Sequence, residues 1–191
     1  MAPVITGKLV EAFWQHMAQR FATRSRLKHD ALRMRATAHA LALIGVLEVP
    51  VFMERYTTVW GHTIYTPFVV GVAASDEALW WQIVVCTHEH QHVVQFERDG
   101  QLAYMARYLG SSRQRALLEA EAYVCNMELH HWRHGTMPDL QALAAKLRDY
   151  GCQPADIAAA HALYLEAAPA IEAGRIVSEA SRVAIDWLEA H

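Results

Sequence analysis

His88-Glu89-His90-Gln91-His92 reads H-E-x-x-H, two histidines four apart with a glutamate directly after the first. On an α-helix, positions i and i+4 share a face, so both imidazoles can reach one metal ion. Glu89 then lies about 100° round the helix from His88, close enough to hold a water at that metal. A zinc hydrolase that uses a glutamate as general base sets its residues in this way. The chain holds 12 histidines among 191 residues, so the pentad alone is a weak signal. Its surroundings have to carry the reading.

Those surroundings are helical. Ser75 or Asp76 can cap a helix beginning near Glu77, and Leu79, Trp80, Ile83, Val84, Thr87, His88, Gln91, His92 and Gln95 continue one turn pattern. The helix should run to Asp99 and stop at Gly100, in the left-handed conformation. Two histidines do not make a stable zinc site; a third protein ligand must come from elsewhere, leaving one position for water. After a short helix over 101–109, a helix starting at Ser111 or Ser112 and ending near His134 offers Glu119 and Glu121, then His130 and His131. Glu119 and Glu121 point about 200° apart, so at most one faces the metal. Glu119 has Ala122 and Tyr123 on its own side, a small residue for close helix approach and a hydroxyl to orient a ligand. His130 and His131 lie roughly 16–18 Å farther along the axis, out of reach of the same ion. His90 points away from the metal face, as a surface or hydrogen-bonded histidine, while Gln91 and Gln95 flank that face.

Taken together, His88 to Gly100 and Glu119-Ala120-Glu121-Ala122-Tyr123 resemble the gluzincin class of zinc metallopeptidases, in its small bacterial branch. The resemblance covers about Tyr56 to Met127. It implies Zn2+ held by His88, His92 and Glu119, with Glu89 as general base for hydrolysis of a peptide or protein substrate. Glu121 stands as the alternative third ligand. Tyr123 occupies the place of the aspartate usual in that class, so the orienting role must pass to another residue. The resemblance also implies a short sheet before the motif helix, with Thr63 to Thr66 as an edge strand that binds an extended substrate. His62, Tyr65, Tyr104 and Tyr108 are candidates to stabilise an oxyanion. The rival readings are a catalytically silent zinc-binding regulatory or scaffold protein, and an all-helical interaction protein without metal.

The elements that must position these residues make the chain mainly α with a small β-sheet. This α+β class suits a minimal zincin-like core with extra packing helices in one domain, 1–191. N-terminal helices fill 1–48, the strand region and metal-site core 49–134, and C-terminal helices 135–191. Lys8 to Leu47 has helical texture with a break near Thr23 to Lys28, where Arg24, Arg26 and Lys28 suit a solvated helix face. Val51-Phe52-Met53, Tyr56 to Trp60 and His62 to Tyr65 are rich in β-branched and aromatic residues, with Gly61 between the last two. Further helices are expected from Pro138-Asp139 to Tyr150, from Pro154 to about Ala167, and from Ser178 onward, with Pro169 and Gly174 in a looser connection.

A hydrophobic fraction of 53% with 19% charged residues is that of a globular chain, and a net charge of −3 gives no footprint for nucleic acid. Cys86, Cys125 and Cys152 are scattered with no C-x-x-C, which suits reduced thiols in a cytoplasm. The N-terminus lacks the apolar region of a signal peptide, and the stretches Ala40 to Val46 and Leu79 to Val85 are too short to span a bilayer. Neither a membrane nor a nucleic acid is expected as partner. The sequence leaves the oligomeric state open.

Overall fold

Thr6 starts the first helix by accepting a hydrogen bond from the Leu9 amide at 3.2 Å. This helix, α1 (Gly7–Arg20), buries Val10, Phe13, Trp14 and Met17, the i, i+3, i+4, i+7 stripe of an amphipathic helix. The computed structural model describes residues 3–30, 53, 54 and 56–191. After α1 the chain turns through Ala22 into β1 (Arg24–Leu27) and a 3-10 turn (Lys28–Asp30). The residue types of this stretch predict a break with a solvated helix face. It is instead a strand, because its backbone finds partners on β3. The expected second N-terminal helix, to Leu47, and Val51-Phe52 lie outside the described residues. Met53, expected in a strand, is helical.

The expected hairpin is present as β2 (Thr58–Trp60) and β3 (Thr63–Thr66), turning at Gly61-His62. Strand order is β1-β3-β2. β1 runs parallel to β3, pairing Arg24 with Thr63 and Leu27 with Thr66, and β2 runs antiparallel, pairing Thr58 with Tyr65. Thr63 to Thr66 is therefore the central strand, not the edge strand the resemblance implies. Burial gives the reason: every residue of β3 is buried and every residue of β1 exposed. Among the described residues the edges are β1 and β2.

α2 (Asp76–Asp99) is capped by Ser75, which accepts from the Ala78 amide at 3.2 Å, and carries Asp76 and Glu77 in its first turn. It ends at Gly100 with φ 77° and ψ 152°. That conformation is open to glycine and differs from the expected left-handed cap. The chain swings straight into α3 (Gln101–Gly110), so Gly100 closes one helix and opens the next. α4 (Ser112–His134) starts on Ser111 and stops at Gly135, a left-handed cap. Asp139 caps α5 (Leu140–Ala145), which tightens into a 3-10 helix (Lys146–Tyr150). α6 (Pro154–Glu172) runs through Pro169, past the expected end near Ala167. Ala168 and Ile171 are buried in its last turn, and that packing outweighs the hydrogen bond the proline removes. α7 (Glu179–Glu189) completes the chain.

Two apolar cores result among the described residues. One gathers Phe13 and Met17 of α1, Ile64 of β3, Trp80 and Ile83 of α2, and Ala184, Ile185 and Leu188 of α7. The other joins Ala116, Ala120 and Met127 of α4 to Leu147, Ala160, Tyr164 and Ile171. Cys125 and Leu129 of α4 face the first core, so the helix is shared between the two. The seam of α2 and α4 runs between the cores, and the polar residues singled out in the sequence lie along it. Among the described residues no helix is long and apolar enough to cross a membrane.

Candidate metal centre

α2 places His88 and His92 one turn apart on the side facing α4, with ring centroids 4.9 Å apart. α4 answers with Glu119, one face turned to α2 and the other to the second core. Ala122, fully buried one turn later, lets the two helices close on each other. The Glu119 Oε2 atom lies 3.4 Å from His88 Nε2 and 3.6 Å from His92 Nε2. The three residues form a group whose donor atoms all lie within 4.8 Å of one another, and each is buried.

These distances are long for an N–H···O hydrogen bond, and Glu119 Oε2 is a buried oxygen without a hydrogen-bond partner. A buried carboxylate oxygen left so is costly unless a cation joins it. Ligand bonds of about 2.0–2.1 Å at a near-tetrahedral angle put neighbouring donor atoms roughly 3.3–3.4 Å apart. The observed spacings fit a single ion between the three residues, two nitrogens and one oxygen being a donor set that suits zinc. The buried His88, His92 and Glu119 cluster can hold a metal ion.

A ring of polar groups aims the three side chains. His88 Nδ1 donates to Asn126 Oδ1 at 3.2 Å, and His92 Nδ1 donates to Gln95 Oε1 at 2.9 Å. Gln95 is itself held by donating to the Leu118 carbonyl at 2.8 Å. With Nδ1 engaged, each imidazole turns its Nε2 atom toward the cluster. Tyr108 donates to the other Glu119 oxygen at 2.5 Å, and the Tyr104 hydroxyl stands 3.4 Å from His92 Nδ1. Tyr123 packs edge-on against His88, centroids 4.8 Å apart. Two amides and a tyrosine thus orient the three side chains.

Electrostatics follow from burial and proximity. Burial opposes a charge on His92, but the Glu119 carboxylate outweighs it and holds the imidazole above the usual histidine range. Burial likewise raises Glu119, yet His92 and His88 bring it well below the carboxylate range. Glu89, 7% exposed beside His88, is raised mainly by burial, with Glu119 adding to that and His88, His92 and Lys28 opposing it.

The remaining candidates fall elsewhere. Glu121, the alternative ligand, turns away and accepts from Gln91 Nε2 at 3.0 Å and Arg98 Nη1 at 2.9 Å. His62 pairs with Glu97 at 2.9 Å on the exposed surface, and Tyr65 is buried within the sheet. Tyr104 and Tyr108 do reach the centre, but their hydroxyls are engaged with the ligands. His90 is hydrogen-bonded and not at the surface: it is fully buried, donates from Nδ1 to the Cys86 carbonyl at 2.7 Å and meets the Thr23 hydroxyl at 2.9 Å.

Two residues escaped the sequence reading. Asn126 stands two helical turns after Glu119 and so shares its face, a spacing that could have identified it. Lys28 carried no such signal. It is fully buried, donates to the Tyr56 carbonyl at 2.8 Å, and is brought down to about 7 by burial, with Glu89 opposing. Comparison of the chain with protein-family models, with curated proteins and with solved structures finds no match.

Proposed function

We propose that the chain is a zinc-dependent peptidase in which Glu89 is the general base. The observation that carries this reading is the unpartnered Glu119 Oε2 between two imidazole nitrogens, with a raised carboxyl on the next residue along α2. His88, His92 and Glu119 would hold the ion, which supplies a Lewis acid able to acidify water and polarise a carbonyl. Three protein ligands are the number that leaves a position for substrate, where a structural zinc site has four.

The chain's own residues do the rest. Glu89 accepts a proton from the attacking water as its oxygen bonds to the peptide carbon, and returns that proton to the amine nitrogen as the C–N bond breaks. A carboxyl raised by burial suits both halves of that transfer. Asn126 and Gln95 fix the two imidazole orientations, and Tyr108 fixes the Glu119 carboxylate. Lys28 adds a positive charge that reaches Glu89.

A second reading is a zinc-binding scaffold that hydrolyses nothing, and the burial of the centre favours it: His88, Glu89, His92 and Glu119 are 6%, 7%, 5% and 1% exposed. The substitution E89Q separates the two. The variant is expected to keep zinc at the buried centre as the parent chain does and to lose hydrolysis of unstructured peptides by about a hundredfold or more. Equal hydrolysis by the zinc-loaded parent and E89Q chains rejects the peptidase. No cleavage by the zinc-loaded parent leaves the scaffold.

A further inference from the structure

Glu77, His88 and His92 on α2 are spaced along the sequence as Glu119, His130 and His134 are on α4. The two helices run antiparallel. The later half of α2 meets the early half of α4 at the buried triad, while Trp80 near the start of α2 stacks on Trp132 near the end of α4, centroids 6.2 Å apart. By position along the sequence Glu77 answers to Glu119, His130 to His88 and His134 to His92, at the opposite end of the seam between the helices.

We propose that His130 and His134, with Glu77 closing from α2, form a second and exposed binding site for a divalent transition-metal ion such as Zn2+. The His130 and His134 rings already converge, with centroids 4.6 Å apart against 4.9 Å for the buried pair. His130 is half-buried and His134 exposed, so an ion reaches them from solvent. Glu77 interacts electrostatically with His130. Its carboxylate also stands 3.6 Å from Arg133 Nη2, on a side chain 75% exposed and free to change rotamer. Arg133 keeps another partner when Glu77 moves, because its guanidinium lies over the Trp80 ring, 4.5 Å from the centroid. The pair sits in the last turns of α4, where the helix dipole favours a cation.

The two sites differ in one residue that matters for chemistry. The position matching Glu89 is His131, so the exposed site has no carboxylate base. It is a binding site, bridging the first turn of α2 to the last turn of α4.

Calorimetric titration of the metal-free chain with Zn2+ tests this. The expected result is two binding events, one tight and one weaker. H130A/H134A should keep the tight event and lose the weaker one; H92A should do the reverse. E77Q should weaken the weaker event by several-fold. A single event in the parent chain, or a weaker event that survives H130A/H134A, overturns the proposal, and unchanged weaker binding in E77Q overturns the part given to Glu77. All three variants are first compared with the parent for thermal midpoint without metal; H134A alone, at an exposed position, serves where the double variant is unstable. Running the titration on the E89Q chain as well makes the result independent of whether the buried centre hydrolyses peptides.

Discussion

Among the described residues α4 carries two buried carboxylates, Glu119 at 1% exposure and Glu128 at 2%, each with one oxygen hydrogen-bonded and one not, and they differ in what faces them. Glu128 Oε1 accepts from the backbone amides of Val177 and Ser178, at 2.5 and 3.1 Å, at the N-terminus of α7, while its Oε2, like Glu119 Oε2, has no hydrogen-bond partner among the described residues. Those amides and the helix dipole behind them compensate its charge from within the chain. Glu119 gives one oxygen to Tyr108 and leaves the other facing two imidazole nitrogens beyond hydrogen-bond range. A carboxylate compensated by backbone amides is an internal fastener. One compensated by imidazoles at ligand spacing is an invitation to a cation. The same helix thus carries one buried charge held by backbone amides beside one in a cluster that can hold a metal ion.

The comparison fails if the two residues respond alike to zinc. The largest expected effect is on the zinc-dependent part of stability. At a free zinc concentration a thousandfold above its dissociation constant, binding stabilises the parent chain by about 4 kcal/mol. E119Q should lose that increment, seen as the difference between unfolding curves with zinc and with chelator. E128A should keep it.

Next in size is the zinc-independent part. E128A removes two charge-assisted hydrogen bonds and uncovers the start of α7, so it should cost about 3 kcal/mol by denaturant unfolding, in zinc and in chelator alike. A loss confined to the zinc-loaded state would show that Glu128 serves the metal centre and is not a fastener.

These contrasts also show how much of the molecule could be read in its residues. The triad was legible because H-E-x-x-H and the Glu119 frame are patterns of one helix each, fixed by the 3.6-residue period. Both helices end where Gly100 and Gly135 stop them. The hairpin was legible from Gly61 and its β-branched flanks. β1 was not, because Arg24-Ser25-Arg26-Leu27 has no apolar alternation and becomes a strand only through pairing with β3. The central place of β3 and the burial of Lys28 are likewise tertiary facts, set by a strand some forty positions away in sequence from the partner it meets. The passage of α6 through Pro169 was hidden for the same reason, since Ala168 and Ile171 are held by a core that no local window contains.

A smaller effect sharpens the account of how Glu119 and the histidines are aimed. N126A removes the acceptor for His88 Nδ1 and frees the ring to choose the other tautomer. Zinc affinity should fall about 10- to 100-fold, with the thermal midpoint in chelator changed little, because Asn126 is only half-buried. Unchanged affinity in a competition titration would mean that packing of Tyr123 on the ring is enough to aim it.

The smallest effect concerns protons, and its sign separates the two carboxylates again. In the metal-free chain Glu119 raises the His92 pKa above its unfolded value, so this pair stabilises the fold fully below the unfolded histidine pKa and loses that contribution as pH rises through the raised one. Zinc needs the deprotonated imidazole and must displace that proton. Between the two pKa values, zinc affinity should therefore rise about tenfold, or about 1.4 kcal/mol, per pH unit and level off above the raised pKa. Over that window the metal-free chain loses stability while the zinc-loaded chain, whose His92 carries no proton, holds its own, so the zinc increment in thermal midpoint widens with pH. E128Q should reproduce that widening, since Glu128 faces backbone amides and no histidine. Titrations in two buffers of different ionisation enthalpy count the proton directly. Release of about one proton near pH 7 agrees with a protonated His92 held against Glu119; release of none means that the metal-free centre already keeps both imidazoles neutral, and that the Glu119 carboxylate faces the cation site without a counter-charge.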